Sequence, residues 1–291
     1  MKLSVVVPVF QSQECVDELG RRLAVALEAI TPEWEVILVD DDSPDRSWSR
    51  IEAIAASEPR FRGLQLLRNQ GQAIATLCGL QYATGDVIVT LDDDLQHRPE
   101  DIEKVLSPIL LGDADCVLGM FERKQHQAHR NLGSRMIRWL NRRAYRIPSD
   151  IRLSAFRALS SDVARRMLQF HMSRPALAQL IFNSTRRVVN VTVAHDQRFA
   201  GESNYSLRRS LSLALDHFLN ANNFPLRFIT VAGLVSCAIA FLIGLVVFVS
   251  AVLGQTGVPG WASVMVVLSV LFGVVLLARA VMSEYLNRIL Q

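Results

Sequence analysis

No Asp, Glu, Lys or Arg occurs between Arg227 and Arg279, although an average chain carries a charge at roughly a quarter of its positions. Such a stretch excludes an ordinary amphipathic helix pair, because core helices of spanning length rarely lack a polar face. Cysteine is also scarce. Cys15, Cys78, Cys116 and Cys237 are scattered with no C-x-x-C pair, which excludes a disulfide framework and a zinc site. Glycine-rich phosphate loops are missing as well. There is no G-x-G-x-x-G and no G-x-x-x-x-G-K-[ST], so the Rossmann dinucleotide and P-loop readings lose their main support. The opening MKLSVVVPVF has too short an apolar run before Gln11 for a signal peptide, and its pattern suits a buried strand. No internal repeat or low-complexity tract is present.

Within the charge-free stretch, Phe228 to Leu253 would form a helix about 39 Å long, against a hydrocarbon core of about 30 Å. Trp261 to Met282 is long enough for a second crossing. Gly254, Gly257, Pro259 and Gly260 break the helix between them, so a transmembrane hairpin is expected. Arg208, Arg209 and Arg227 precede the first span, Arg279 and Arg288 lie at or beyond the end of the second, and the connecting loop has no arginine. Positively charged flanks stay on the cytoplasmic side, so both termini are expected in the cytosol and the chain at the inner (cytoplasmic) membrane. Three regions follow: 1–205, a cytoplasmic catalytic domain; 206–227, an amphipathic interfacial helix and linker; and 228–291, two spans with a short tail.

The formal net charge is only +3, but Arg130, Arg135, Arg138, Arg142, Arg143 and Arg146 crowd one segment. Leu132, Met136, Ile137, Trp139, Leu140 and Tyr145 are interleaved with them, which predicts a basic amphipathic helix over 131–146. Beside two spans, its natural partner is a lipid bilayer with anionic headgroups, which places Arg138 among lipid phosphates. A plain solvated face is the competing reading, and nucleic acid is not an expected partner. Ser206 to Asn223 reads as a second amphipathic helix, with Leu207, Leu211, Leu215, Phe218 and Leu219 on one side. A homo-oligomer is compatible with all of this.

The first half alternates short β-branched runs with helical segments, the pattern of an α/β fold built on a mostly parallel sheet. Strands are predicted at 3–7, 35–39, 64–67, 87–91 and 116–118, with helices near 16–30, 47–56, 72–83 and 99–111. Beyond residue 120 the pattern is irregular; a short strand at 153–156 and a helix over 162–169 are expected.

Open parallel sheets bind ligands beyond the carboxyl ends of their strands. Two acidic triplets lie there: Asp40, Asp41 and Asp42 after the second predicted strand, and Asp92, Asp93 and Asp94 after the fourth. Helix capping accounts for Asp42, Ser43 or Asp45 but does not need three acids in a row. Crowded carboxylates repel, and a divalent cation shared with phosphate oxygens relieves them. Asp92 and Asp94, at alternate positions, are therefore the expected ligands of Mg²⁺ or Mn²⁺, with Gln96 able to add an amide oxygen.

The segments VVVPVF, LVDDDSPD, RNQGQ, GDVIVTLDDDLQHRPE, SDIRLSAFRA and RFAGESNYS, in that order and followed by two apolar spans, resemble glycosyltransferase family 2. They are most similar to its polyprenyl-phosphate glycosyltransferases, the group that includes dolichol-phosphate mannose synthase and bacterial undecaprenyl-phosphate sugar transferases. The resemblance implies the GT-A nucleotide-diphospho-sugar transferase fold and an inverting transfer from a nucleotide-sugar donor to a polyisoprenyl phosphate. A UDP-sugar and undecaprenyl phosphate are the favoured pair. By motif, Pro8, Val9 and Phe10 would line the base and ribose pocket, with Asp41 and Asp93 as further nucleotide contacts. Asp92, Asp94 and Gln96 would hold the metal, Asp150 would face the acceptor as a catalytic residue beside Asp94, and Arg198 and Ser203 would meet phosphate. There are three departures from the family pattern: Asp42 replaces a glycine, Gln11-Ser12-Gln13-Glu14 replaces the usual Asn-Glu, and Asn204 replaces a lysine. A processive polysaccharide synthase and a non-catalytic nucleotide-sugar-binding scaffold are the alternatives.

Overall fold

The computed structural model describes residues 1–121, 148, 150–170, 175–194 and 261–289, with scattered positions from 231 to 254. The chain divides into two compact units, Met1–Tyr205 and Ser206–Gln291.

In the first unit, β1 (Leu3–Val9), α1 (Val16–Ile30), β2 (Trp34–Asp40), α2 (Ser47–Ser57), β3 (Phe61–Gln65), α3 (Gln72–Tyr82) and β4 (Val87–Thr90) alternate strictly. A 3₁₀ turn, Pro99–Asp101, leads into α4 (Ile102–Leu110) and β5 (Cys116–Phe121). After β6 (Arg157–Ser160) come α5 (Ser161–Gln169), α6 (Leu177–Ser184) and β7 (Val188–Val193). The seven strands form one sheet in the order β3-β2-β1-β4-β6-β5-β7. All pairs are parallel except those of β6, which runs against both β4 and β5.

The sequence dictates this layering. Every residue of LSVVVPV in β1 is buried, and β2 is nearly as enclosed, as strands covered on both faces must be. Helix α1 meets the sheet through Val16, Leu19, Gly20, Leu23, Ala26 and Leu27, an apolar stripe of helical period. Pro8 sits in this interior strand without breaking it. The Val6 carbonyl points to the β4 side, where it accepts the Leu91 N–H, so Pro8 two residues on points its missing N–H the same way. The β1–β4 pairing ends at Val6 and Thr90, so Pro8 lies beyond the last paired residues and interrupts none of them.

Several sequence expectations shift. The third strand is Phe61–Gln65 rather than 64–67, and the strand expected at 153–156 lies at Arg157–Ser160. The expected helix over 99–111 begins as the 3₁₀ turn. Helix α6 and strand β7 are additional elements, and VVNVTV carries the β-branched signature of a strand. The basic helix over 131–146 and the amphipathic helix over 206–223 fall outside the described residues.

In the second unit, α7 (Trp261–Ile289) runs 29 residues, beyond the expected end at Met282. Most of its described apolar side chains, among them Val264, Leu271, Phe272 and Val274, are exposed. Among the described residues no helix is long and apolar enough to cross a membrane; the side chains of α7 are described over only part of its length. The expected first span, 228–253, is described only at scattered helical positions.

Candidate functional site

Chain order reverses between β1 and β4, since β2 and β3 lie to one side of β1 and β4 to the other. Ligand crevices form at such a point, beyond the carboxyl ends of the strands. Here the loop after β4 supplies Asp92, Asp93 and Asp94, and the loop after β1 supplies Phe10, which is 40% exposed. Pro8 and Val9 are buried, so they can offer a ligand little beyond backbone.

The two loops are latched by Asp93. Its Oδ2 accepts the Phe10 N–H at 3.0 Å and the Ser12 hydroxyl at 2.5 Å. Asp92 faces elsewhere, accepting a hydrogen bond from the Gln72 amide at the first turn of α3. Its backbone N–H lies 3.5 Å from Nδ1 of His97, a buried ring stacked on Phe121 at 5.1 Å. Asp94 Oδ1 accepts the Gln96 N–H at 3.1 Å, a local turn that keeps these two residues together.

Burial pushes the Asp92 carboxyl up to about 7, with the charges of Asp94 and Asp93 adding to the rise and Arg157 opposing it. Burial also raises Asp93 despite its two donors. Arg157, at the start of β6, is held below the usual arginine range by its own burial. Among the described residues no three His, Cys, Asp or Glu side chains converge as a ready-made metal cage. The donor set suits a hard cation that completes its shell with water and phosphate oxygens: carboxylates, an amide, and a charge repulsion that a cation would relieve.

The loop after β2 is built differently. Asp41 Oδ1 accepts the Gln70 N–H at 2.7 Å and Oδ2 the Gly71 N–H at 2.8 Å, so both its oxygens hold the RNQGQ loop in place. Burial raises its pKa, and the two N–H groups oppose that rise. Asp40 is fully buried, and its Oδ1 has no hydrogen-bond partner. Asp42, standing where the family carries glycine, has φ +56°, and Gln11 and Leu95 are the other described non-glycine residues with positive φ. All three lie in the loops that frame the crevice. Sparsely populated conformations of this kind concentrate where a site demands them.

Asp150 is exposed in the turn that precedes β6, where the Ile151 N–H meets the Pro148 carbonyl at 3.3 Å. Because β6 is antiparallel to β4, this segment enters the sheet at the carboxyl edge of the parallel strands, and the Thr90 hydroxyl donates to the Ala155 carbonyl at 2.9 Å. The structure thus brings Phe10, Asp92, Asp93, Asp94 and Gln96 to one crevice and Asp41 to the adjoining loop. Arg138, Arg198 and Ser203 fall outside the described residues.

Gln72, Ser12, His97 and Arg157 were not singled out from the sequence. Gln72 and Arg157 lie within RNQGQ and SDIRLSAFRA, so the motifs pointed to their segments but gave no reason to choose them. Ser12 bonds a carboxylate far from it in sequence, and His97, within GDVIVTLDDDLQHRPE, meets the Asp92 backbone from a buried position, where no spacing rule applies.

Solved structures of similar fold include glucosyl-3-phosphoglycerate synthase from Mycobacterium tuberculosis. Its complex with UDP gives a TM-score of 0.55 at 15% identity over 76% of this chain and 78% of that one. Its complex with Mn²⁺, UDP-glucose and phosphoglyceric acid gives 0.54 at 14% identity over 76% and 79%. These likenesses establish the GT-A-type fold of the first unit. The model of the family described as glycosyl transferase family 2 matches residues 4–167, more than half of the 291 residues, and this chain therefore belongs to that family.

Proposed function

We propose that this glycosyltransferase moves a sugar from a nucleotide-diphospho-sugar, by preference a UDP-sugar, to a polyisoprenyl phosphate, by preference undecaprenyl phosphate, at the cytoplasmic face of a membrane. The observation that carries the donor half is the Asp92–Asp94 cluster at the β1–β4 switch point, latched to the β1 loop by Asp93. Support for UDP comes from the synthase of similar fold, which binds UDP and UDP-glucose with Mn²⁺. Support for a lipid acceptor comes from the charge-free stretch between Arg227 and Arg279 and the motifs shared with polyprenyl-phosphate transferases.

Asp92 and Asp94, with Gln96 adding an amide oxygen, would hold Mg²⁺ or Mn²⁺, which supplies positive charge to the departing diphosphate. The chain's own residues do the rest. Gln72 orients Asp92, Asp93 fixes the wall that carries Phe10, and Asp150 faces the acceptor. A phosphate monoester has a second pKa near about 6 and is mostly dianionic at neutral pH, so it needs alignment more than deprotonation. Its oxygen forms the new bond to the anomeric carbon from the side opposite the diphosphate. The old carbon–oxygen bond breaks, and its electron pair leaves with the nucleoside diphosphate. Arg198, Ser203 and Arg138 serve the lipid phosphate in this reading.

A small phosphorylated acceptor is the second reading, because the synthase of similar fold binds phosphoglyceric acid. Full-length protein in vesicles containing undecaprenyl phosphate, incubated with radiolabelled UDP-sugars and Mn²⁺, separates the two. Label in the organic extract, lost by about 10²-fold or more in Asp92→Asn or Asp94→Asn, supports the lipid reading. Label that appears only in water-soluble product with phosphoglyceric acid overturns it.

A further inference from the structure

We propose that Asn190, on β7, is a positioning residue that clamps the acceptor-side segment of the site; the inference rests on the reading that Asp150 faces the acceptor. Its side-chain amide makes three hydrogen bonds. Oδ1 accepts the Arg152 N–H at 2.7 Å, and Nδ2 donates to the Arg152 carbonyl at 2.8 Å and to the Leu118 carbonyl at 3.1 Å. The amide therefore pairs with the Arg152 backbone as a neighbouring strand would, both donating and accepting. The opposite amide orientation would set nitrogen against N–H and oxygen against two carbonyls, so the network itself fixes the assignment.

The register shows why this bond set matters at a distance. Thr90 pairs with Arg157, Arg157 with Leu118, and Leu118 with Asn190, so one row crosses β4, β6, β5 and β7. Three strand spacings put Asn190 roughly 14 Å from Thr90, and Thr90 lies two residues before Asp92. The segment from Arg152 to Ala155 bridges that interval, tied at one end by Asn190 and at the other by the Thr90 hydroxyl on the Ala155 carbonyl. Gly119 opens space along the way: a Cβ there would lie 2.9 Å from the Phe156 ring. Asp150 stands two residues outside the Asn190 tie, in a turn closed onto Ile151. Only the backbone of Arg152 is used, so residue 152 could be almost any amino acid, whereas position 190 requires an amide.

Hydrogen exchange on the full-length protein, paired with kinetics in vesicles containing undecaprenyl phosphate, tests the clamp. In Asn190→Leu and the gentler Asn190→Ala, exchange of the Arg152 amide should accelerate at least about tenfold, with the amides of β1 and β4 unchanged. Arg152→Ala should leave exchange in this segment at the wild-type rate. The apparent KM for lipid acceptor should rise about tenfold while the Kd for UDP with Mn²⁺ stays within about twofold. Wild-type exchange in both Asn190 variants would overturn the proposal. So would parallel losses of UDP affinity, acceptor affinity and thermal stability, which would make Asn190 a general packing residue. A wild-type chain that labels no lipid, with exchange still accelerated in the variants, would remove the lipid reading and leave the clamp standing.

Discussion

Two residues in the left-handed region show how differently one backbone feature can be supported. Asp42 at φ +56° is exposed, and Leu95 at φ +60° is buried. An ordinary L-residue in that region costs about 1–2 kcal/mol, with Asp among the more tolerant. For Asp42 no burial offsets the strain, so Asp42→Gly is expected to raise stability by about 0.5–1 kcal/mol, read as a higher urea midpoint with an unchanged slope. A lower midpoint would show that the carboxylate itself holds the loop. Leu95 gains about 1.5–3 kcal/mol from full burial, more than the strain, so Leu95→Gly should shift the midpoint the other way. Asp92 sets a second expectation. Its carboxyl is pushed up to about 7, because burial first and two neighbouring carboxylates after it disfavour the charge. The metal-free fold therefore gains stability as pH falls through 7 towards the ordinary carboxylate range near about 4, and loses it as pH rises. A metal needs the ionised form, so the rise in Tm caused by Mn²⁺ relative to EDTA should be larger at pH 8 than at pH 6. An equal rise at both would remove Asp92 from the ligand set.

At the scale of the element, helix α3 couples packing to the site. It lies on β1 and β2 through Gly79, where an added Cβ would come within 2.3 Å of Val6 and 3.1 Å of Val39. Alanine would gain about 1 kcal/mol of helix propensity, but overpacking a core costs about 1–3 kcal/mol, and the strand beneath cannot retreat. Gly79→Ala should therefore lower the Tm. It should also weaken UDP and Mn²⁺ binding, because Gln72 at the start of α3 holds Asp92. The same contrast between enclosed and half-open elements governs what was legible in the sequence. Strands β1, β2 and β4 were readable because burial on both faces leaves almost nothing but β-branched and apolar residues. Edge strand β3 was misplaced by three residues. Its own sequence, FRGLQ, is mixed, and the apolar pair Leu66-Leu67 beyond it mimics a buried strand, although Leu67 is fully exposed. The antiparallel entry of β6 and the return through α6 to β7 were hidden because no local pattern encodes which strand a segment will pair with. The crevice was legible for a related reason. Carboxylates directly after buried strands stand out, whereas Asn190, Ser12 and Gln72 act across long separations.

At the scale of the whole molecule, the first unit supplies the chemistry and the second is proposed to supply an address in the membrane. No charged side chain occurs from 228 to 278, between arginines on both flanks. Placing one charged residue at the centre of a bilayer costs about 2.5–3.5 kcal/mol on insertion scales, so their absence across two spanning lengths is what membrane residence requires. In the proposed hairpin the arginine asymmetry would set the orientation, with both flanks on the cytoplasmic side and the Gly-rich turn across the membrane. A reporter inserted at Gln255 should therefore be found on the extracytoplasmic side, and one fused after Gln291 in the cytosol. Introducing two arginines beside Gln255 should disturb this arrangement, because the loop would then carry the signal that retains segments on the cytoplasmic side. Both reporters on the same side of the membrane in the unmodified chain would overturn the hairpin. A lipid-phosphate acceptor would then need another route to the crevice formed by β1 and β4.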